Sequence, residues 1–175
     1  MQMRLATNDD ADLIVAMSAR VQAKLIASVS LQEFGPIPRS VVAAHVGAGT
    51  AHVLTDQRQL VGSVFLEPDY APVTPQLERI FTNVRVPPAL RPRWWLQKLM
   101  VTPDRQGHGL GAIILEDCKR QVAARGGGVI VLDCWVGNLK LRAFYQQAGF
   151  QLHTESAVEE GDVAVFTWES PALSP

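Results

Sequence analysis

The 175-residue sequence lacks the features that mark a membrane protein, a disulfide-rich protein or a nucleic-acid-binding protein. Its only two cysteines, Cys118 and Cys134, lie within apolar segments, which predicts buried thiols in a reducing compartment. The longest apolar run near the start, residues 13–17, is far too short to cross a bilayer. A formal net charge of −1, without a run of Lys or Arg, argues against nucleic acid or an anionic membrane as the main partner.

Secretion and metal binding are also disfavoured. Asp9, Asp10 and Asp12 stand where a secretory signal would need an apolar core, so a cytoplasmic location is expected. The four histidines are scattered and no CxxC pair occurs, so no metal site is expected.

What the sequence does contain is enough apolar residue, 47% against 19% charged, for one globular domain with a buried core. That domain is predicted to cover residues 1–170, leaving 171–175 as a tail. Hydrophobic periodicity and turn residues predict strands over 3–6, 51–55, 60–67, 93–101, 129–136, 150–155 and 162–168. Helices are predicted over about 9–28, 38–46, 109–124 and 138–148. The first of these helices has one face that is expected to be buried, made of Leu13, Ala16, Met17, Val21 and Leu25.

The segment 68–92 departs from this alternation of helices and strands. It holds six of the chain's 11 prolines and is predicted to be a long excursion with at most a short helix around 76–81. Loops of this length are often functional, so a cover on the substrate side is one interpretation.

A glycine-rich loop, RQGHGLG at 105–111, joins the strand 93–101 to the helix 109–124 and suits a phosphate ligand. A nucleoside triphosphate is disfavoured, because Ala112 and Ile113 stand where a P-loop needs Lys and Ser or Thr. A dinucleotide fits Gly107, Gly109 and Ala112, with Asp133 as the ribose ligand. However, five residues separate the strand from Gly107, and the chain after Asp133 is short for a further parallel βαβ unit.

Two motifs together resemble the GNAT superfamily of N-acetyltransferases. Gln106–Gly111 reads as Q-x-x-G-x-G, the pyrophosphate loop of that superfamily. The segment from Asn138 through Tyr145 to Gly149-Phe150, N-x6-Y-x3-G-F, resembles the helix and turn of that superfamily, and the order of elements agrees over nearly the whole chain. The resemblance implies an α/β fold of α+β type: a mixed, mostly antiparallel sheet of six to seven strands, about four helices, and central parallel strands splayed for CoA.

The resemblance also implies acetyl-CoA as co-substrate, with no metal. Backbone groups of 106–111 and the following helix would hold the pyrophosphate, and the strand 99–101 would hold the pantetheine arm. The residues implied in cofactor binding are Leu99, Met100, Val101, Arg105, Gln106, Gly107, His108, Gly109, Leu110, Gly111, Asn138 and Tyr145.

For catalysis, Tyr145 occupies the family's usual general-acid position. The general base stays open among Glu67, Asp69, Glu78, Asp133 and a chain of water molecules. The acceptor pocket is expected to include Gln32, Glu33, Phe34, Trp95 and Gln97.

The function expected from the resemblance is acetyl transfer to a primary amine of a small molecule or peptide, directly within a ternary complex. Two alternatives stand beside it: a non-catalytic acyl-CoA-binding or sensing module, and an NAD-binding oxidoreductase. Family members often form dimers, so a homodimer is also an expectation.

Overall fold

Seven β-strands and five α-helices follow one another in the computed structural model, which describes residues 1–27, 35–158 and 161–170. The strands are β1 Gln2–Leu5, β2 Ala51–Asp56, β3 Gln59–Pro68, β4 Arg93–Val101, β5 Val129–Trp135, β6 Gln151–Val158 and β7 Gly161–Glu169. The helices are α1 Ala11–Ala27, α2 Arg39–Gly47, α3 Leu77–Asn83, α4 Leu110–Ala124 and α5 Leu139–Gln147. The mixed, mostly antiparallel sheet predicted from the sequence is confirmed, and the five helices agree with the four predicted ones together with the short helix allowed around 76–81. That short helix is α3, which lies in the proline-rich excursion.

The strands follow the order β1-β2-β3-β4-β5-β7-β6. Strand β4 pairs with β5 in parallel, and the pairing covers three residue pairs, from Arg93–Val129 to Trp95–Val131, although both strands continue. Lys98 in β4 has φ +54°, a left-handed value that bends the strand locally, as in a β-bulge. A single parallel pair does not fit the doubly wound parallel sheet of a dinucleotide-binding domain, so the NAD-binding alternative loses its structural basis.

The described chain forms two compact units, with strands β3 and β4 and helix α4 contributing to both. The first unit contains the described parts of residues 1–66 and 98–117, and the second contains 67–97 and the residues from 118 onward. A single domain over 1–170 stays a prediction.

The first unit contains β1, β2, most of β3, α1 and α2. Ile14, Met17 and Val21 of α1 pack with Val53 and Phe65 of the sheet. The prediction for α1 was wrong at two positions: Leu13 is 53% exposed and Ala16 is also exposed, and Ile14 lies in the buried stripe in place of Leu13. A period of 3.6 residues allows both steps of three and steps of four from Met17, so the pattern alone does not choose between neighbours. The β2–β3 hairpin turns at Gln57 and Arg58, both with positive φ, as in the two-residue turns that match strand twist.

The second unit contains α3, β5, α5 and the β6–β7 hairpin. Here α3 packs through Leu77 and Phe81 against an apolar cluster that includes Trp95 and Val131. The excursion is therefore a packed part of the unit, because its short helix has buried apolar residues of its own.

Candidate functional site

The glycine-rich loop lies in the first unit, between β4 and α4. Gly107 and Gly109 have φ of +84° and +77°, a backbone conformation that L side chains rarely adopt. In the described part of the chain, none of the six successive backbone N–H groups from Gln106 to Gly111 donates a hydrogen bond to a protein acceptor. The loop thus offers a row of available donors at the positive end of the α4 dipole, which is the usual design of an anion site.

Side chains of the loop fold back on its own backbone and fix its path. Gln106 Nε2 donates to the Val101 carbonyl oxygen at 3.0 Å. His108 Nδ1 lies 3.1 Å from the Gln106 carbonyl oxygen and 3.3 Å from that of Arg105. Both neighbours are acceptors only, so Nδ1 carries the proton. These two side chains shape the loop, and its N–H groups are left for a ligand.

Two ion pairs and three hydrogen bonds hold the segment that enters the loop. Arg105 forms an ion pair with Asp56 at 2.6 Å, so its positive charge is already engaged by β2. Arg20 of α1 donates to Asp104 at 2.8 Å and to Thr102 Oγ1 at 2.9 Å, and Lys24 donates to the Pro103 carbonyl oxygen. The hydroxyl hydrogen bond from Thr102 is the main reason that the pKa of Asp104 is lowered.

The space beside the two glycines of the loop is open. A Cβ added at Gly107 or Gly109 would meet no protein atom within 4 Å, so the side of each glycine that a side chain would occupy is open. Open space, unsatisfied N–H donors and a helix N-terminus coincide here, which is what a phosphate oxygen requires.

The strand residues expected to hold the pantetheine arm differ in their surroundings. Met100 is buried in the apolar cluster of the first unit, and Leu99 and Val101 are half-buried. Binding of the pantetheine arm by these three residues would therefore use their backbone groups, and this binding stays a prediction.

Tyr145 lies in the second unit, in a pocket of aromatic rings. Its ring centroid is 5.4 Å from Phe144, 5.7 Å from Phe166 and 6.3 Å from Phe150, and the residue is only 5% exposed. Burial, and then the nearby Cys134 and Asp133, raise the pKa of Tyr145 far above its ordinary value. Its hydroxyl makes no hydrogen bond within the described residues and is not one of the fully enclosed polar atoms.

Both ends of α5, the helix that carries Tyr145, are held by side chains. Asn138 is the N-cap: its Oδ1 accepts from the Leu141 N–H at 3.0 Å. Lys119 of α4 is almost buried and donates from Nζ to the Ala148 carbonyl oxygen at the C-terminal end. A cation at that end also complements the helix dipole, so Tyr145 stands on a doubly anchored helix.

The four carboxylates considered as the base differ in their surroundings. Glu67 is fully buried and accepts hydrogen bonds from Val73 N–H, Thr74 N–H, Thr74 Oγ1 and Gln97 Nε2. Asp69 and Glu78 both bind the buried Arg93, at 3.0 and 2.6 Å. Asp133 lies on β5 opposite Val165 and acts on the pKa of both Cys134 and Tyr145. Both oxygens of Glu67 and both oxygens of Asp69 accept hydrogen bonds, which disfavours these two carboxylates as the base. Glu78 binds arginine through Oε2 only and its side chain is 59% exposed, so the assignment of the base stays open.

Arg93 is the residue that the sequence analysis missed. Its guanidinium, 1% exposed, lies 4.3 Å from the Phe81 ring centroid and also donates to the Val86 carbonyl oxygen. Together with its two carboxylate partners, it fastens the excursion 68–92 to β4. An arginine directly before the apolar residues 94–96 of the strand was the available signal, because a buried charge must be paired.

The residues expected in the acceptor pocket fall into three groups. Trp95 is buried edge-to-face against Phe81 at 6.0 Å, so the contacts observed for it are core packing. Gln97 is half-buried and bound to Glu67 and Thr74. The expected pocket wall of Gln32, Glu33 and Phe34 lies outside the described residues.

Both cysteines are buried thiols, as predicted, and neither forms a disulfide bond. Burial, more than the adjacent Asp133, raises the pKa of the Cys134 thiol to about 11, so it is protonated at neutral pH. Within residues 1–27, 35–158 and 161–170, no group of three or more His, Cys, Asp or Glu could hold a metal ion. No helix in this part of the chain has the length and apolar character needed to span a bilayer.

Comparison with known proteins gives a family match and a fold match. The model of the acetyltransferase (GNAT) family matches residues 31–150. No curated protein sequence matches the chain. Among solved structures, yncA from Salmonella typhimurium, with its cofactor acetyl-CoA, aligns with a TM-score of 0.70 at 15% identity, over 100% of this chain and 96% of that one.

Two further structures have named acceptors. Drosophila melanogaster polyamine N-acetyltransferase aligns with a TM-score of 0.69 at 18% identity, over 96% of this chain and 99% of that one. The Escherichia coli ribosomal-protein-S18-alanine N-acetyltransferase aligns with a TM-score of 0.67 at 16% identity, over 99% and 96%. At these identities the likeness concerns the fold alone.

Proposed function

The chain belongs to the acetyltransferase (GNAT) family, and from this premise we propose that it is an acetyl-CoA-dependent N-acetyltransferase. In this proposal the acetyl group passes directly to a primary amine of a small molecule or peptide within a ternary complex. The observation that carries the proposal is the row of available N–H donors from Gln106 to Gly111 at the start of α4.

We assign donor binding to backbone groups. The N–H groups of 106–111 hold the pyrophosphate, and backbone groups of Leu99, Met100 and Val101 hold the pantetheine arm. When bound, acetyl-CoA supplies an acetyl group activated as a thioester. Arg105 contributes little charge in this scheme, because Asp56 already neutralises it.

Tyr145 is the proposed general acid. Its raised pKa keeps the hydroxyl protonated through the neutral range, which is the state that a general acid needs. A thiolate resembling that of cysteine has a pKa of about 8.5, below that of Tyr145, so full proton transfer from the phenol would be uphill. The hydroxyl therefore acts first by donating a hydrogen bond to the sulfur as negative charge develops there.

Deprotonation of the acceptor is assigned to water. An amine of lysine type has a pKa of about 10.4 and arrives mostly protonated at neutral pH. Since Glu67, Asp69 and Glu78 are held by structural partners, a water chain fits the observed contacts better than direct transfer to any of these three.

Direct transfer is favoured over an acetyl-enzyme intermediate. Such an intermediate on sulfur would need a thiolate nucleophile, and the pKa of Cys134 of about 11 keeps that thiol protonated. Cys118 is fully buried. A covalent step through either cysteine is therefore disfavoured.

The acceptor is proposed only as a primary amine. The polyamine enzyme and the ribosomal-protein-alanine enzyme share this fold although their named acceptors differ in size and charge. A cytoplasmic location and a homodimer likewise stay predictions.

The test is release of CoA thiol from acetyl-CoA in the presence of agmatine, spermidine or a short peptide with an N-terminal alanine. We expect amine-dependent release with at least one acceptor, above the rate without amine. The alternative of a non-catalytic acyl-CoA-binding module is motivated by the engaged carboxylates. It predicts tight CoA binding and no amine-dependent release with any acceptor.

A further inference from the structure

At the end of β3, a buried polar cluster made of Glu67, Thr74 and Gln97 joins the excursion to β4. The Glu67 carboxylate accepts from the Val73 and Thr74 N–H groups and from the Thr74 hydroxyl, the last at 2.8 Å. Gln97 Nε2 completes the cluster, 3.1 Å from Glu67 Oε2 and 3.3 Å from Thr74 Oγ1.

The donors and acceptors of this cluster fix the orientation of the Gln97 amide. A carboxylate accepts hydrogen bonds only, and Thr74 has already given its one hydroxyl proton to Glu67. Both groups can therefore only accept from Gln97, which must turn its NH₂ toward them. The direction of the amide follows from the network and not from an arbitrary choice between nitrogen and oxygen.

The consequence is an outward-facing oxygen. Gln97 Oε1 has no hydrogen-bond donor among the described residues, and it is not one of the enclosed polar atoms that lack a partner. Gln97 is half-buried, so this oxygen remains accessible while the rest of the side chain is held. An acceptor atom fixed in advance binds a ligand without a further cost in side-chain entropy.

We propose that Gln97 is a specificity-determining residue whose Oε1 accepts a hydrogen bond from an N–H of the acceptor amine, with Glu67 and Thr74 as its positioning residues. This inference rests on the proposed function and names how the acceptor is recognised. An amide oxygen is suited to a substrate that must lose a proton. Unlike a carboxylate in direct contact, it orients the nitrogen without adding a full negative charge that would favour the ammonium form.

The kinetic test compares Gln97→Met, which keeps the length of the side chain, with Thr74→Val, which removes only the hydroxyl from the cluster. Loss of one hydrogen bond predicts that the acceptor KM rises about tenfold in Gln97→Met, and less in Thr74→Val. The Kd for CoA should stay that of the wild type in both. Thr82→Val is the matched control, because its hydroxyl donates to the Glu78 carbonyl oxygen in the same excursion and does not touch Gln97.

A second readout does not depend on turnover. Titration of ¹⁵N-labelled protein with agmatine or spermidine, in the presence of CoA, should shift the side-chain amide signals of Gln97. The shift of the Gln97 amide signals should be smaller in Thr74→Val than in the wild type. In Thr82→Val it should equal the wild-type shift. The inference would be overturned if the acceptor KM were unchanged in a folded Gln97→Met protein. It would also be overturned if the Gln97 amide signals were shifted by no amine that the protein acetylates.

The two readouts separate this inference from the proposed function. Shifted Gln97 signals without CoA release by any amine would refute the acetyltransferase proposal alone. Amine acetylation that is insensitive to Gln97→Met would refute the role of Gln97 alone. Neither shift nor release would refute both.

Discussion

At the scale of single residues, Gly109 makes the clearest prediction. Gly109→Ala strains the backbone, at a cost of about 1 kcal/mol in the free energy of unfolding, and places a methyl group on the open side of the loop. If that space holds phosphate, losing one charge-assisted hydrogen bond should weaken CoA binding by at least about tenfold, as measured by calorimetric titration.

Gly49→Ala provides the control for this experiment. Gly49 has φ +67°, and a Cβ there would also meet nothing within 4 Å, so the strain is comparable. It lies outside the loop 106–111. Gly49→Ala should therefore lose similar stability and keep wild-type CoA affinity, and an equal loss of affinity in both variants would contradict the assignment.

Tyr145→Phe tests the proposed acid. We expect kcat to fall about 100-fold with the Kd for CoA nearly unchanged, since only the hydroxyl is removed. Because burial raises the pKa of Tyr145, the wild-type residue does not ionise at neutral pH, and the ratio of the two rates should be constant from pH 6.5 to pH 8.5, roughly the range below the thiol reference pKa. Parallel losses of CoA affinity and turnover would instead indicate a packing role.

The sequence predicted some of these site residues and not others. The glycine loop and Asn138 could be located because each depends on local backbone geometry: positive φ, available N–H groups, an N-cap. The surroundings of Arg105, Asp69 and Glu78 could not, because their charges are taken up by partners such as Asp56 and Arg93, many residues away in the chain. Long-range ion pairing leaves no local pattern.

At the scale of elements, α5 depends on its N-cap. Asn138→Ala removes the acceptor of the Leu141 N–H and should lower the free energy of unfolding by about 1 kcal/mol, measured by urea denaturation. Asn138→Asp keeps that acceptor and should retain most of the stability. If Asn138 also donates to the cofactor, the Asp variant should bind CoA more weakly than the wild type despite its stability. A fully stable Asn138→Ala protein would contradict the capping role.

Strong apolar periodicity located most elements, whereas in the proline-rich excursion the sequence indicated at most a short helix around 76–81, which is observed as α3. Helix α3 is short and lies between prolines, so its propensity signal is weak. Its position is fixed by burial of Leu77 and Phe81 and by the Arg93 ion pairs, which are tertiary contacts. The same contacts explain why this segment packs against β4 although its sequence reads as an irregular loop.

At the scale of the whole molecule, acid stability should depend on Asp10. Hydrogen bonding from Arg4, assisted by Thr7, lowers the pKa of Asp10 to about 2 from an ordinary 3.8. The contribution is therefore present above pH 3.8 and is lost as the pH falls through about 2. Asp10→Asn should reduce the free energy of unfolding by about 2 kcal/mol at pH 7, with a smaller difference from wild type as the pH approaches 2.

Urea denaturation of the wild type and of Asp10→Asn from pH 7 to pH 2 measures this difference in the free energy of unfolding. Asp12→Asn is the control, because Asp12 forms an exposed ion pair with Arg39. A difference between wild type and Asp10→Asn that stayed constant down to pH 2 would contradict the ion-pair account.

The central claim is direct acetyl transfer from acetyl-CoA to an amine, and the most direct measurement is where the acetyl group goes. Protein is incubated with isotopically labelled acetyl-CoA and the amine panel, and both the amines and the intact protein are then analysed by mass spectrometry. The account predicts one labelled acetyl group on the nitrogen of an acceptor amine and an unmodified protein. Label that remains entirely on CoA, or that accumulates on the protein as a turnover intermediate, would contradict it.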